Sequence, residues 1–189
     1  MADWNERYLR GEHATLEPNP LLARVAEALK PGRALDVACG AGRHALFLAR
    51  LGWRVTAVDA SSVGVKITSE RARLLDLDVD ARVADLERGE FEIEGEAYDL
   101  IIVFYYLQRN LWPELRAGLR PGGTMVAAIH LINEDPAAET GNPGFLLQPG
   151  ELRSEFDGWG IEHYHETRLT DEDAGLHHRR TAEIVARKP

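Results

Sequence analysis

Asp36-Val37-Ala38-Cys39-Gly40-Ala41-Gly42, entered through the apolar run Ala34 to Ala38, ends a buried strand in a glycine-rich turn. Gly40 and Gly42 remove side chains where the backbone must bend tightly and approach a bound molecule, and Ala45, Leu48 and Ala49 then begin an amphipathic helix. Strand, glycine turn and helix in that order predict an α/β ligand site. Asp36 narrows the ligand. A phosphate-binding turn gains nothing from an acid inside the strand end, whereas a cationic cofactor gains a favourable charge pair.

Working outward, short strand-like blocks alternate with helical spacings, as a parallel α/β sheet requires. Upstream, Trp4 and Tyr8 share one face of a short helix, and Asn19 (cap), Pro20 (first turn), Leu21, Leu22, Val25, Ala26 and Leu29 mark a second, stopped by Pro31-Gly32. Downstream, the reading places strands at 34–38, 54–58, 81–84, 100–104 and 124–129, with helices at 42–51 and 62–76. The early turns of the latter are expected to be irregular, because Val63, Gly64, Val65, Ile67 and Thr68 are mediocre helix formers. Leu111, Leu115 and Leu119 make a further helix. Pro149 occupies the first turn of another, with Leu152 and Phe156 on its apolar side and Gly158 at its end. The polar, proline- and glycine-rich stretch 131–148 is longer than an ordinary connection and is a candidate lid. The short acidic turn 170–175 between strands at 161–168 and 177–187 predicts an antiparallel closing hairpin.

The chain has 189 residues, a net charge of −9 and one cysteine, Cys39. That length suits a single domain in which the acceptor site shares the cofactor domain, with residues 1–30 as an N-terminal helical cover. An acidic chain with no lysine- or arginine-rich block repels polyanions, which argues against a nucleic acid partner. One cysteine forms no intramolecular disulfide, and no apolar run is long enough to span a bilayer or act as a signal peptide, so the expected address is cytoplasmic, with no membrane partner. Monomer and homodimer are both open.

Together these stretches resemble the class I S-adenosylmethionine-dependent methyltransferases, whose first motif reads Asp/Glu-x-x-x-Gly-x-Gly. The likeness continues through Val55-Thr56-Ala57-Val58-Asp59, Ala84-Asp85-Leu86, Tyr98-Asp99-Leu100-Ile101-Ile102-Val103 and Pro121-Gly122-Gly123, in the order and spacing of that family. Trp4-x-x-Arg7-Tyr8, Asn19-Pro20-Leu21-Leu22 and Gly42-Arg43-His44 look most like the small type 11/12 and tellurite-resistance-type members. The latter more often carry Gly-x-Gly-x-Gly-Arg-Asn, where this chain has Ala38-Cys39-Gly40-Ala41-Gly42-Arg43-His44. The resemblance implies a doubly wound Rossmann-like α/β sheet of seven strands, order 3-2-1-4-5-7-6 with strand 7 antiparallel. It also implies methyl transfer from S-adenosylmethionine to a small-molecule acceptor.

Such a cofactor carries a sulfonium, an ammonium, a ribose diol and an adenine, so separated acids suit it better than a cradle of phosphate donors. By resemblance, Asp36 faces the methionine end, and Ala38, Cys39, Gly40 and Gly42 line the approach. Asp59, beside Ala60, accepts from the ribose hydroxyls. Asp85 accepts from the adenine amino group, with Leu86 in contact. Each acid has a plainer role open to it as a turn or helix cap. Phe104, Tyr105 and Tyr106 leave strand four as an aromatic wall where a sulfonium gains cation–π attraction, and Phe104 equally suits core packing. His130, ending strand five, is the candidate base, with Tyr106 the second candidate catalytic group; positioning alone suffices for an acceptor that is already ionised. Trp4, Arg7, Tyr8 and His13 form the cover, Arg7 being available to an anionic acceptor. Whether Arg43 and His44 reach the pocket or solvent is open. His163 and His165 share a strand face near His177-His178, yet no second shell accompanies them, and no metal is expected.

Two other functions compete. Gly40-x-Gly42-x-x-Ala45 with Asp59 loosely fits a nicotinamide dinucleotide fingerprint, against which Asp36 and the lack of a substrate domain argue. A non-catalytic cofactor-binding or partner module is distinguished by the absence of turnover.

Overall fold

A computed structural model describes residues 4–12, 15–133, 142–167 and 179–189. Seven strands form one sheet in the order β3-β2-β1-β4-β5-β7-β6. The strands are β1 (Arg33–Val37), β2 (Arg54–Asp59), β3 (Val79–Val83), β4 (Tyr98–Phe104), β5 (Leu119–His130), β6 (Gly160–Glu166) and β7 (Thr181–Arg187). β1 to β5 run parallel and β7 lies antiparallel to both β5 and β6, the order and direction that the resemblance implies.

The helices are α1 (Trp4–Leu9), α2 (Pro20–Ala28), α3 (Arg43–Arg50), α4 (Ser62–Leu74), α5 (Trp112–Gly118) and α6 (Glu151–Ser154). Alternation along the strands sends Leu35, Val37, Ile101, Val103, Met125 and Ala127 to one face, packed with Trp112, Leu115, Leu152 and Phe156. The opposite face carries Ala34, Leu100, Ile102, Val126 and Ala128 against Leu21, Leu22, Ala45 and Leu48 of α2 and α3. Fully burying a side chain such as Leu22 or Phe156 contributes about 1.5–3 kcal/mol. Among the described residues, no helix is long and apolar enough to cross a membrane.

Three sequence expectations are corrected. α4 is helical from Ser62 onward, because the Ser61 hydroxyl accepts from Gly64 N at 3.0 Å and caps it. Leu119 does not continue α5 but opens β5, opposite Tyr98. Pro149 lies outside α6, whose cap is Gly150 at φ 79°, and the helix proper has four residues. The acidic turn 170–175 and His177-His178 lie outside the described residues.

Register brings the carboxyl ends of the central strands level: Val37 pairs with Val58 and Val103, and Phe104 pairs with Ala128. Asp36, Asp59, Phe104 and His130 therefore stand along one rim of the sheet, where a doubly wound fold places its ligand.

Candidate active site

The turn after β1 is left-handed at Ala38 (φ 55°), Gly40 (φ 56°) and Gly42 (φ 78°). For Ala38 that conformation costs about 1–2 kcal/mol, because a Cβ crowds the following carbonyl. The surroundings hold it there. Cys39 N donates to Val58 O at 3.0 Å, Gly40 N to Asp59 Oδ2 at 2.8 Å, Thr68 Oγ1 to Gly40 O at 3.2 Å and Arg71 Nη1 to Ala41 O at 3.3 Å. α4 presses so closely that a Cβ at Gly64 would lie 2.8 Å from Gly40 O. Gly64, weak as a helix former, is in place for this approach.

Asp36 is 1% exposed. Burial pushes its carboxyl pKa up to about 8, with the Asp59 charge adding to the shift and the nearby Ala45 backbone N–H and Arg43 opposing it. Among the described residues, Oδ2 has no hydrogen-bond partner. An acid buried with an unsatisfied oxygen fits a cationic group and does not fit a pyrophosphate. Asp59 is shifted upward by burial and restrained by bonds from Ser61 N (2.7 Å) and Gly40 N (2.8 Å). Asp85 is half-buried, and its Oδ1 accepts from Glu87 N at 3.0 Å and Arg88 N at 3.3 Å. Leu86 is buried and Ala60 exposed. Cys39 is 7% exposed, with burial holding its thiol pKa well above the ordinary value, so it is a small packed residue and not a nucleophile.

α1 lies across this turn. A Cβ on Gly40 would collide with the Tyr8 hydroxyl, and one on Gly64 would lie 3.1 Å from Tyr8 Cε2. Burial, then the charge of Asp59, raises the Tyr8 phenol pKa. Trp4 stacks on Tyr8 with ring centroids 5.9 Å apart. Arg7 pairs with Glu12 at 2.7 Å and lies 4.4 Å over the Trp4 ring, so it is committed within the cover and not held out for an anionic acceptor. His13 lies outside the described residues.

The expected single wall of Phe104, Tyr105 and Tyr106 is two walls. Tyr105 adopts φ 61°, which breaks the strand alternation, and it packs with Phe104 on the α2–α3 face. Its N–H donates to Ala128 O at 2.7 Å, and its hydroxyl accepts from Asn19 Nδ2 at 3.2 Å. Its ring lies 4.9 Å from His130 and 5.6 Å below the Arg43 guanidinium. Tyr106 packs on the opposite core, its hydroxyl donating to Gln108 Oε1 at 2.5 Å, and burial raises its pKa. Gln108 in turn donates to Leu86 O at 3.2 Å. Phe104 is buried, 4.2 Å from the His44 ring. His44 is buried as well. Desolvation holds its pKa well below the ordinary value, and neutral Nε2 accepts from Asn19 N at 3.3 Å.

The candidate lid is fastened at both limbs. Leu131 bridges Leu147, and Ile132 N donates to Leu147 O at 2.9 Å. Arg109 pairs with Glu151 at 2.6 Å while donating to Gly144 O and Leu146 O, both at 2.9 Å. Residues 134–141 of that stretch lie outside the described residues. On the distant hairpin, His163 Nε2 lies 3.3 Å from Glu183 Oε2. Among the described residues, no group of three or more His, Cys, Asp or Glu side chains is arranged to hold a metal ion.

The sequence reading missed Asn5, Ser61 and Thr68, and it took Asn19 for a helix cap alone. Asn19 does cap α2, accepting from Leu21 N at 2.8 Å, and it holds Tyr105 with the same side chain. A glycine inside the otherwise helical 62–76 was the one available sign of the α4 approach.

Residues 6–183 match the family model described as "Tellurite resistance protein TehB". The "Probable S-adenosyl-L-methionine-dependent methyltransferase TehB" of Haemophilus influenzae strain Rd is 24% identical over 97% of this chain and 66% of its own length. "Hemagglutinin 1" of Eikenella corrodens is 28% identical over 84% of this chain and 54% of its own. The chain thus spans between about half and two thirds of the length of these relatives. The crystal structure of TehB from Haemophilus influenzae superposes with a TM-score of 0.77 at 22% identity, covering 98% of this chain and 67% of that one, which shows a shared fold.

Proposed function

The chain belongs to the TehB tellurite-resistance family, and from that premise we propose that it transfers a methyl group from S-adenosylmethionine to a small-molecule acceptor. The observation that carries this reading is the buried Asp36 Oδ2, without a hydrogen-bond partner among the described residues, beside a glycine turn whose amide is already held by Asp59. A cation and a diol suit these two acids, and a dinucleotide pyrophosphate does not.

In this reading Asp36 holds the ammonium, Asp59 accepts from the ribose hydroxyls, and Asp85 with Leu86 takes the adenine edge. Ala38, Cys39, Gly40, Gly42, Ala60 and Phe104 line the cavity, and Tyr8 covers it. The cofactor supplies an electrophilic methyl group on a sulfonium. Tyr106 joins Gln108 and Leu86 on the adenine side, away from the acceptor. Tyr105, fixed by Asn19, orients the acceptor and keeps water off, and His130 beside it takes the proton from an acceptor that is not already ionised. The net charge of −9 supports a small acceptor over a nucleic acid, and the single cysteine suits a cytoplasmic address. Both monomer and homodimer satisfy the site, because every residue named is in one chain.

Release of S-adenosylhomocysteine, measured across a panel of small thiols, phenols, amines and oxyanions, tests the activity. Turnover with at least one class is expected. Tight binding with no turnover on any of them would make the protein a cofactor-binding module.

A further inference from the structure

α1 has six residues and none of them is buried. An isolated helix of that length does not hold together in water, so docking maintains it. Part of its order is internal: Trp4 stacks on Tyr8, Arg7 pairs with Glu12, and Arg10, Gly11 and Glu12 N–H groups donate to Glu6, Tyr8 and Arg7 carbonyls. These bonds lie within the segment and do not themselves anchor it to the sheet domain, so they last only while it is docked.

Asn5 is different. Its Oδ1 accepts from Ser61 Oγ at 2.7 Å and from Val63 N at 3.2 Å, so a side chain of α1 satisfies an amide in the first turn of α4. Ser61 is fully engaged around it, its hydroxyl also accepting from Gly64 N at 3.0 Å and its N–H donating to Asp59 Oδ1 at 2.7 Å. Asp59 Oδ2 then takes Gly40 N at 2.8 Å. An unbroken run of hydrogen bonds thus joins the cover helix, through Ser61, to the carboxylate and glycine amide of the ligand turn.

We propose that Asn5 is a positioning residue, a latch that seats Tyr8 over the glycine turn, and that its release from Ser61 and Val63 limits how fast a bound cofactor product leaves. The proposal rests on the reading that this turn holds S-adenosylmethionine. α1 is the two-state element, docked or lifted, and whatever Asp59 holds stabilises the docked state through Ser61. Arg7 and Trp4, tied to each other, move with it.

Two measurements on the full chain test this. The first needs no ligand: hydrogen exchange of the amides of residues 8–12 in Asn5→Ala should speed about tenfold or more, for two lost hydrogen bonds, with the melting temperature lowered by no more than a few degrees. The second is the dissociation rate of S-adenosylhomocysteine by stopped-flow displacement, which should rise by a similar factor. Asn5→Asp keeps an oxygen for both donors and should restore slow exchange and slow release. Unchanged exchange in Asn5→Ala overturns the latch, as does faster exchange with unchanged release. Failure of the wild-type protein to bind S-adenosylhomocysteine would overturn the assigned ligand, and the exchange result would then judge the docking role by itself.

Discussion

The glycine turn and the rim at Tyr105, the two halves of the proposed site, are built in different ways. At the turn, Asp59 reaches Ser61 two positions away and Gly40 nineteen away, and desolvation raises the pKa of the buried Asp36 and of the partly buried Asp59. At the rim, Tyr105 is held by Asn19 from 86 positions away, and His130 and Arg43 arrive from β5 and α3. The difference separates tasks. Several hydrogen bonds centred on Asp59 and Gly40 hold the proposed cofactor end in one geometry, while the proposed acceptor end is a looser meeting of side chains from α2, α3 and β5, so its chemistry can change without disturbing the other half.

The largest effect that tests this separation is expected at the turn. Asp59→Ala removes the proposed ligand contact and also frees Gly40 and Ser61, so S-adenosylhomocysteine affinity should fall about a hundredfold or more by calorimetry in a protein that still folds. An unchanged dissociation constant would reduce Asp59 to a cap. His130→Ala is the converse. With a neutral acceptor drawn from the turnover panel, single-turnover transfer should fall about a hundredfold while cofactor affinity moves by no more than about twofold. A comparable loss of cofactor affinity would join the two halves and break the comparison. With an ionised acceptor, the same substitution should change acceptor affinity more than the saturated rate.

This separation also explains what could be read in the sequence. Asp36, Gly40, Gly42 and Asp59 belong to short motifs that follow strands, so their positions come from local pattern, and the continuous apolar run at 100–104 marks a central strand for the same reason. The helical cover was legible from Trp4 and Tyr8 because spacing by four fixes a shared face. Asn19 holding Tyr105 was not legible, since no local pattern reports a contact between a helix cap and the end of a distant strand. Nor was the splitting of Tyr105 from Tyr106, which depends on one left-handed backbone angle at a residue that seldom adopts it. Leu119 continued a helical spacing and was drawn into a strand instead by pairing with Tyr98, a tertiary override of local pattern.

In the proposed site a buried acid, Asp36, makes the glycine turn a cation site. Its pKa of about 8 lies above the ordinary carboxylate value, so in the free protein it is protonated over most of the range between. Its contribution to fold stability is therefore lost as pH rises toward 8. A ligand ammonium favours the ionised form, so binding in that range must release a proton, and affinity must climb with pH. Calorimetric titration of S-adenosylhomocysteine from pH 5.5 to 7.5 tests this in the wild-type protein and in Asp36→Asn. Wild-type affinity is expected to rise by up to about tenfold per pH unit with proton uptake by the buffer, and Asp36→Asn to bind more weakly at pH 7.5 with most of that slope gone. Equal, flat profiles in the two proteins would contradict it.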